Sequence, residues 1–305
     1  MEVIVSRMKW YEWSERLEPV LYILPAFILL LLVVIWPVIY GTIVAFFKEG
    51  LPTPQVFVGL KNFLFVLNDT LFVGSISTTL IYSFSTLTCS FLLGLVTALV
   101  VHSITRGKGL FRVLLIIPMM VAPLVVGLTW RWMLDPIQGA VNWIFELLHL
   151  PGQVWLSDPG TAMAAVVAVD IWEWYPLVFL IIYAGLSGLP VQPFEAAQLD
   201  GASPWMIFRR ITLPMLKPVL MVALILRTAD AFRAFDSIHA LTDGGPMGAT
   251  ETMSHYIWRL AFRWGVIPKA GAGAMIMLFM IAIVTSFMFR FLSEDSGPRQ
   301  AGKEG

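Results

Sequence analysis

The segment Glu195-Ala-Ala-Gln-Leu-Asp-Gly-Ala-Ser-Pro-Trp-Met-Ile-Phe-Arg-Arg-Ile-Thr-Leu-Pro214, called the signature segment below, lies between two long apolar runs and predicts two short helices with a break between them. Gly201 follows good helix formers, at the place where a left-handed residue ends a helix. Ser203-Pro204 predicts the next helix start, with serine as N-cap and proline in the first turn. Pro214 and Pro218 are expected to stop this second helix. The segment is too polar to cross a bilayer and too ordered to be an irregular loop. It therefore predicts a surface that binds another protein.

Seven positions of the signature segment match, at every spacing, the EAA signature of bacterial ABC importer permeases: Glu195, Ala196, Ala197, Gly201, Ile211, Leu213 and Pro214. In that family the segment docks into a cleft of a cytoplasmic ATPase subunit, so the resemblance implies an ATPase-coupling role for these residues. Gly201 would be the bend of the coupling element, and Glu195 would help to hold its fold. The alternative is an ordinary amphipathic helix pair at the membrane interface.

Composition places the whole chain in a membrane. Of its 305 residues 58% are hydrophobic and only 13% are charged, whereas a soluble domain is about a quarter charged. The net charge of +0 implies neither nucleic acid nor acidic ligands as partners. A single cysteine, Cys89, excludes a disulfide framework within the chain and a multi-cysteine metal site.

Hydropathy predicts six spans in one permease domain, residues 19–292. The expected spans are Pro19–Phe47, Leu71–Val101, Val113–Met133, Thr161–Leu186, Pro218–Leu241 and Ala270–Leu292. The third should be bent by Pro118 and Pro123. An amphipathic segment, residues 1–18, precedes the domain, a coupling loop occupies residues 187–217, and a polar tail covers residues 293–305. Between the third and fourth spans, an external loop is expected to hold a short helix over residues 141–150.

Basic residues set the orientation. Residues 1–18, the turn at 102–112, the signature loop and the C-terminal end hold twelve of the twenty Lys and Arg residues. Since basic residues concentrate on the cytoplasmic side, both termini and the signature segment are predicted to be cytoplasmic.

Two further phrases, residues 57–63 (Phe-Val-Gly-Leu-Lys-Asn-Phe) and 241–246 (Leu-Thr-Asp-Gly-Gly-Pro), resemble segments of carbohydrate-importer permeases. The resemblance implies an all-α integral membrane protein with the type I ABC importer (MetI-like) permease bundle, in the maltose and glycerol-phosphate group. It also implies a bacterial inner (cytoplasmic) membrane location and a small sugar-like substrate. The implied partners are a second permease subunit in a heterodimer, an ABC ATPase dimer, an extracytoplasmic solute-binding protein and membrane lipid, with no nucleic acid. A homodimeric permease pair remains open.

The chain has no sequence pattern of an enzyme. A P-loop for ATP phosphates and a His-Glu-x-x-His zinc motif are both missing, and the four histidines are scattered along the sequence. We therefore expect no catalytic residue, no metal and no cofactor bound by this chain, with ATP and Mg²⁺ used by the partner ATPase.

Charged residues inside the predicted spans support two readings. Asp170 and Glu173 share one helix face, and Arg227, Asp230, Arg233 and Asp236 alternate in sign along the fifth span. The structural reading is an ion ladder within that span, with Asp170 or Glu173 paired to an arginine. The functional reading is a hydrated cavity that hydrogen-bonds sugar hydroxyls. By resemblance to maltose-type permeases, substrate contacts fall on Asp170, Glu173, Trp174, Leu177, Arg227, Ala231, Ala234 and Asp236, although the family more often uses Asn or Ser.

Three other functions are open from the residues alone. A secondary transporter or channel would use the intramembrane charges as an ion relay. A membrane-embedded enzyme would need catalytic groups that the sequence does not offer. A purely structural assembly partner would carry the charges without using them.

Overall fold

The computed structural model describes residue 18 and residues 20–48 and 56–294. Within these residues the chain is helical apart from loops and one isolated antiparallel bridge between Phe47 and Phe57. The all-α prediction is confirmed. Residues 1–17 of the predicted N-terminal segment and residues 295–305 of the predicted tail lie outside the described part.

Among the described residues the helices are, in chain order, α1 (Val20–Val44), α2 (Lys61–Asn68), α3 (Thr70–Ser103), α4 (Lys108–Ile116), α5 (Pro123–Met133), α6 (Ala140–Leu147), α7 (Pro159–Ser187), α8 (Gln192–Leu199), α9 (Pro204–Phe232), α10 (Asp236–Leu241), α11 (Met253–Trp258) and α12 (Ile267–Glu294). Five of them, α1, α3, α7, α9 and α12, are long and apolar enough to cross a membrane. The predicted first, second, fourth and sixth spans are confirmed to within a few residues.

The predicted third span is a broken pair of helices. Helix α4 and its 3-10 extension end at Met120, α5 starts at Pro123, and the two axes differ by 91°. The predicted bend is confirmed, and the two helices together make the sixth candidate span if the bent pair is counted as one. Pro118 lies in the short 3-10 turn and Pro123 opens α5, so both prolines occupy helix starts, where their missing amide hydrogen costs nothing.

Two boundaries of the predicted fifth span are also corrected. Pro214 and Pro218 do not stop the helix that begins at Pro204, which continues to Phe232 as α9. A five-residue π-turn, Phe208–Thr212, precedes Pro214, and the Leu213 amide bonds the carbonyl of Phe208 five residues back. This wider turn accommodates the proline ring without breaking the helix.

At its other end α9 stops nine residues before the predicted limit of Leu241. Residues 233–235 break the helix, and Asp236 starts the separate helix α10. The carbonyl of Ala234 accepts hydrogen bonds from the hydroxyls of Thr252, at 3.3 Å, and Ser254. Because side chains from α11 and its N-cap satisfy this carbonyl, the chain turns without leaving it unbonded.

Helix α7 is the centre of the bundle. More than half of its most apolar stretch is buried, whereas none of the corresponding stretch of α1 is. Helix α3 packs along α7 more extensively than any other described pair. Gly94 permits this contact, because a Cβ there would lie 2.8 Å from Val178 Cγ1 and 3.0 Å from the backbone nitrogen of Phe179.

The loops separate into two ends. The turn at residues 104–107 lies beside the end of α7, where the Arg112 guanidinium lies 5.4 Å from the centre of the Tyr183 ring. The signature segment follows α7 directly, so it belongs to this end. At the far end Arg131 donates to the carbonyl of Ala240, and Tyr256 donates to Asp69. Helix α9 joins the two ends, since 29 residues span about 43 Å.

Candidate functional site: an exposed helix pair and a buried charge network

The first half of the signature segment ends as the sequence predicts. Gly201 adopts φ +73° after α8, and the amides of Gly201 and Ala202 bond the carbonyls of Gln198 (3.1 Å) and Ala197 (2.9 Å). This pair of bonds is the Schellman arrangement, which satisfies carbonyls that the helix end leaves free. A Cβ on Gly201 would have no atom within 4 Å, so only the backbone conformation favours glycine.

The second half starts at the predicted cap. The Ser203 hydroxyl accepts a hydrogen bond from the Met206 amide at 3.3 Å, and Pro204 occupies the first turn of α9. Large apolar side chains nevertheless remain outside, with Leu199 89% and Trp205 68% exposed. Exposed apolar groups at a bend between two capped helices form a shaped surface that can bind a partner protein.

The predicted coupling residues occupy both parts of this surface. Glu195 and Ala196 are exposed on α8, and Ala197 is half-buried. Ile211 is half-buried in the π-turn, while Leu213 and Pro214 are exposed on α9. The structure thus gathers the seven positions at one end of the bundle.

A buried ion pair links α7 and α9 within the bundle. Arg227 is 1% exposed, and its Nη2 bonds Asp170 Oδ2 while its Nη1 bonds Asp230 Oδ2 at 3.2 Å. Tyr82 of α3 donates to Asp170 Oδ1 at 2.6 Å. We call Tyr82, Asp170, Arg227 and Asp230, with the neighbouring Glu173, the charge network.

Glu173 is the exception in this network. Its side chain is fully buried, yet neither carboxylate oxygen has a hydrogen-bond partner among the described residues. The Nε of Arg227 and the hydroxyl of Ser83 are also without a partner there. An unpaired buried polar group costs about 1–3 kcal/mol, so these atoms do not stabilise the bundle through hydrogen bonds.

The other predicted pathway residues lie at different depths. Trp174 and Leu177 are half-buried on α7, and Ala231 is buried near the end of α9. Ala234 lies in the break after α9 and Asp236 is exposed on α10, so Asp236 does not continue the ion ladder. Arg233 extends the ladder only at the surface, at 3.7 Å from Asp230.

An apolar groove of about 370 Å³ lies between α3, α9 and α12, lined among others by Leu80, Phe84, Thr228 and Met288. None of the eight predicted pathway residues lines it. The residues of the charge network also lie outside the lining of this groove, so the network does not open into it.

At the far end, the structure brings together two histidines that sequence analysis treated as scattered. His239 Nδ1 lies 3.0 Å and His255 Nε2 lies 3.1 Å from Asp243 Oδ1. We call these three residues the histidine cluster. Burial alone would raise the pKa of Asp243, but hydrogen bonds from Arg263 and His255 hold that pKa below its usual value. The signal in the sequence was the spacing of four in His239/Asp243 and Glu251/His255, on either side of Gly-Gly-Pro.

A family model described as "Binding-protein-dependent transport system inner membrane component" matches residues 90–296, which include α7, the signature segment and α9. The chain belongs to this family. The resemblance to ABC importer permeases is confirmed, and this inner membrane component is a multi-pass protein of the cytoplasmic membrane.

Relatives of this inner membrane component include permeases of sugar and glycerol-phosphate transport systems, as the two carbohydrate-importer phrases predicted. It is 38% identical over 95% of its length to the trehalose/maltose transport system permease protein MalF of Thermococcus litoralis, covering 96% of that protein. It is 34% identical over 92% of its length to the sn-glycerol-3-phosphate transport system permease protein UgpA of Agrobacterium fabrum, covering 97% of it.

Solved structures show the same fold. A chain of a bacterial ABC transporter involved in the import of the acidic polysaccharide alginate matches with a TM-score of 0.82 at 21% identity, covering 94% of this inner membrane component and 99% of that chain. A chain of the MetNI methionine ABC transporter matches with a TM-score of 0.51 at 13% identity, covering 73% and 95% of the two chains. The MetI-like permease bundle is confirmed.

Proposed function

We propose that this chain is the permease subunit of an ATP-driven importer that passes a sugar or related polyol across the cytoplasmic membrane. The relatives named for trehalose, maltose and glycerol 3-phosphate support a polyhydroxylated solute. The chain catalyses no covalent step. ATP and Mg²⁺ are used by a separate ATPase, and no cofactor of this chain takes part in transport.

One observation carries the coupling part of the proposal: α9 is continuous from Pro204 in the signature segment to Phe232 and holds Arg227 in the buried ion pair. A partner that moves the exposed end around Trp205 therefore moves a helix about 43 Å long. Packed helices shift as rigid bodies rather than deform smoothly. Closure of an ATPase dimer would reach Asp170 and Arg227 in this way and alternate access to a central pathway.

The assembly follows from this mechanism. One ATPase of a dimer would dock on Glu195–Pro214, and a second, related permease would complete the pathway in a heterodimer. A solute-binding protein would deliver the sugar at the far end, where α10, α11 and the loop between them lie. Both termini and the signature segment would then be cytoplasmic. The substrate pathway would include Asp170, Glu173, Trp174, Leu177, Arg227, Ala231, Ala234 and Asp236.

The test is ATP hydrolysis by the complex that co-purifies with this chain, measured with and without its binding protein and with trehalose, maltose or glycerol 3-phosphate. We expect an ATPase to co-purify and its rate to rise with loaded binding protein. A chain that purifies alone and moves solute into vesicles without ATP would instead be a secondary transporter.

A further inference from the structure

The histidine cluster presents three metal-ligand atoms to one point at the far end of the bundle. His239 Nδ1, Asp243 Oδ1 and His255 Nε2 all lie within 4.8 Å of one another, and each nitrogen is 3.0–3.1 Å from the carboxylate oxygen. Ligands of a tetrahedral zinc ion, each about 2.0–2.1 Å from the metal, are separated by about 3.3 Å. Each imidazole nitrogen therefore lies within a few tenths of an ångström of the required distance from the carboxylate oxygen, and the two nitrogens lie within 4.8 Å of each other.

The hydrogen bonds around His255 leave a position for a cation. Its Nδ1 lies 3.0 Å from Glu251 Oε1, and Glu251 is buried and paired on its other oxygen with Arg259 at 2.8 Å. A proton on Nδ1 donated to Glu251 leaves a lone pair on Nε2. With a proton on Nε2 instead, His255 donates to Asp243 Oδ1 at 3.1 Å, so a metal ion bound between these two atoms would take the place of that proton.

Asp243 divides its two oxygens between different partners. Oδ2 accepts from Arg263 at 2.6 Å, while Oδ1 faces both imidazoles. A metal on Oδ1 thus displaces no arginine. Residues that bind a metal usually have a second hydrogen-bond partner that holds them in position. Glu251 has this place for His255, and Arg263 has it for Asp243.

The surrounding chain is shaped to this cluster. Gly244 follows Asp243 with φ +80°, and a Cβ there would lie 2.6 Å from Glu251 Oε2 and 2.9 Å from His255 Nδ1. Phe235 stacks on both imidazoles, with ring centres 5.1 Å from His239 and 5.9 Å from His255. Glycine allows the close approach, and the aromatic ring holds both imidazoles in place.

We propose that His239, Asp243 and His255 form a Zn²⁺ site, with Glu251 as the outer partner that orients His255. Two imidazoles and one carboxylate suit zinc and disfavour Mg²⁺ and Ca²⁺, which prefer oxygen ligands. The partly exposed His239 and Asp243 give the ion a path from solvent, while His255 anchors it inside. The bound ion would fasten α10 to α11 across the Gly-Gly-Pro loop, beyond the transport role and beyond the sequence-based expectation of no metal.

The test uses the full-length chain, purified together with its partners through an affinity tag that contains no histidine. A chelator then removes any bound metal from the purified complex. Zinc content is measured after dialysis against Zn²⁺, affinity by competition with a chelating dye, and stability by thermal unfolding with and without Zn²⁺. We expect one Zn²⁺ per chain and a higher Tm with the ion. His239→Gln should weaken binding at least tenfold and abolish the Tm shift.

Two further variants make the assignment specific. Glu251→Gln should weaken affinity about 10–100-fold while leaving one ion per chain at saturation, as loss of an outer partner does. His149→Gln, which removes the histidine near the end of α6, should bind like the wild type. Since His239 is partly exposed, its substitution should leave the bundle folded, as size-exclusion chromatography checks. Equal zinc content in the wild type and in His239→Gln/His255→Gln would overturn the site, as would a wild type that retains no zinc.

Discussion

Asp170→Asn tests what the buried ion pair contributes to the bundle. The substitution keeps the shape of the side chain and an acceptor for the Tyr82 hydroxyl, but it removes the charge that faces Arg227. Arg227 is 1% exposed, and its other ionic partner, Asp230, is 36% exposed. A guanidinium cannot lose its proton in a protein, so the charge stays in place without its main partner.

Breaking a buried pair from one side costs about 3–5 kcal/mol, whereas replacing both partners by neutral groups is often close to neutral. We therefore expect Asp170→Asn to lower the free energy of unfolding by about 3–5 kcal/mol. Arg227→Met should cost less, because a carboxyl group left alone can be neutralised by a proton. The double variant Asp170→Asn/Arg227→Met should recover at least half of the loss seen in Asp170→Asn.

The assay is reversible unfolding of the purified chain in mixed micelles at increasing SDS content, which gives a free energy for each member of the cycle. Asp158→Asn is the matched control: Asp158 caps the start of the same helix, and asparagine caps as well as aspartate. Its free energy should stay within about 0.5 kcal/mol of the wild type. Additive penalties in the double variant, or a loss below about 1 kcal/mol for Asp170→Asn, would refute the reasoning.

Three further predictions follow from single positions. Gly201→Val should lower substrate-stimulated ATP hydrolysis more than Gly201→Asn. The left-handed conformation at this position costs valine about 1–2 kcal/mol, whereas asparagine adopts it more readily. Equal rates of ATP hydrolysis in the two variants would contradict the coupling role. Gly94→Ala should cost about 1–3 kcal/mol in SDS unfolding by pushing α3 from Val178, whereas Gly74→Ala, with open space at its Cβ, should be neutral or stabilising. Glu173→Met should raise the free energy of unfolding by about 1–3 kcal/mol by removing an unpaired buried carboxyl group, and unchanged solute uptake would exclude Glu173 from the pathway.

Features that depend on neighbouring residues were predictable from the sequence. The left-handed end at Gly201 and the cap at Ser203 each involve hydrogen bonds that reach no more than five residues along the chain. The bend near Pro118 and Pro123 was predictable because a proline readily starts a new helix and disfavours helical conformation in the residue before it. The apolar runs fixed the spans because a bilayer demands a long helix in each.

Features that depend on distant residues were not predictable. Alternating charges continue to Asp236 at helical spacing, so the pattern favoured a longer fifth span. The helix instead ends at Phe232, because Thr252 and Ser254, some twenty residues further on, take the carbonyl of Ala234. The pairing of Arg227 with Asp170 rather than with Glu173 likewise depends on how α7 and α9 are rotated against each other, which periodicity does not specify.

The charge network either only stabilises the bundle or also takes part in transport, and these two interpretations predict different results for the same substitutions. A network that only stabilises the bundle needs its charges neutralised, which the double variant Asp170→Asn/Arg227→Met achieves by removing both. A network moved by α9 during transport needs the charges themselves, since Arg227 is the point where the helix from the signature segment is held to α7. Recovered stability with uptake intact therefore assigns the pair to packing alone. Recovered stability with ATP hydrolysis no longer raised by loaded binding protein assigns it to the transmission of movement between the two ends of α9.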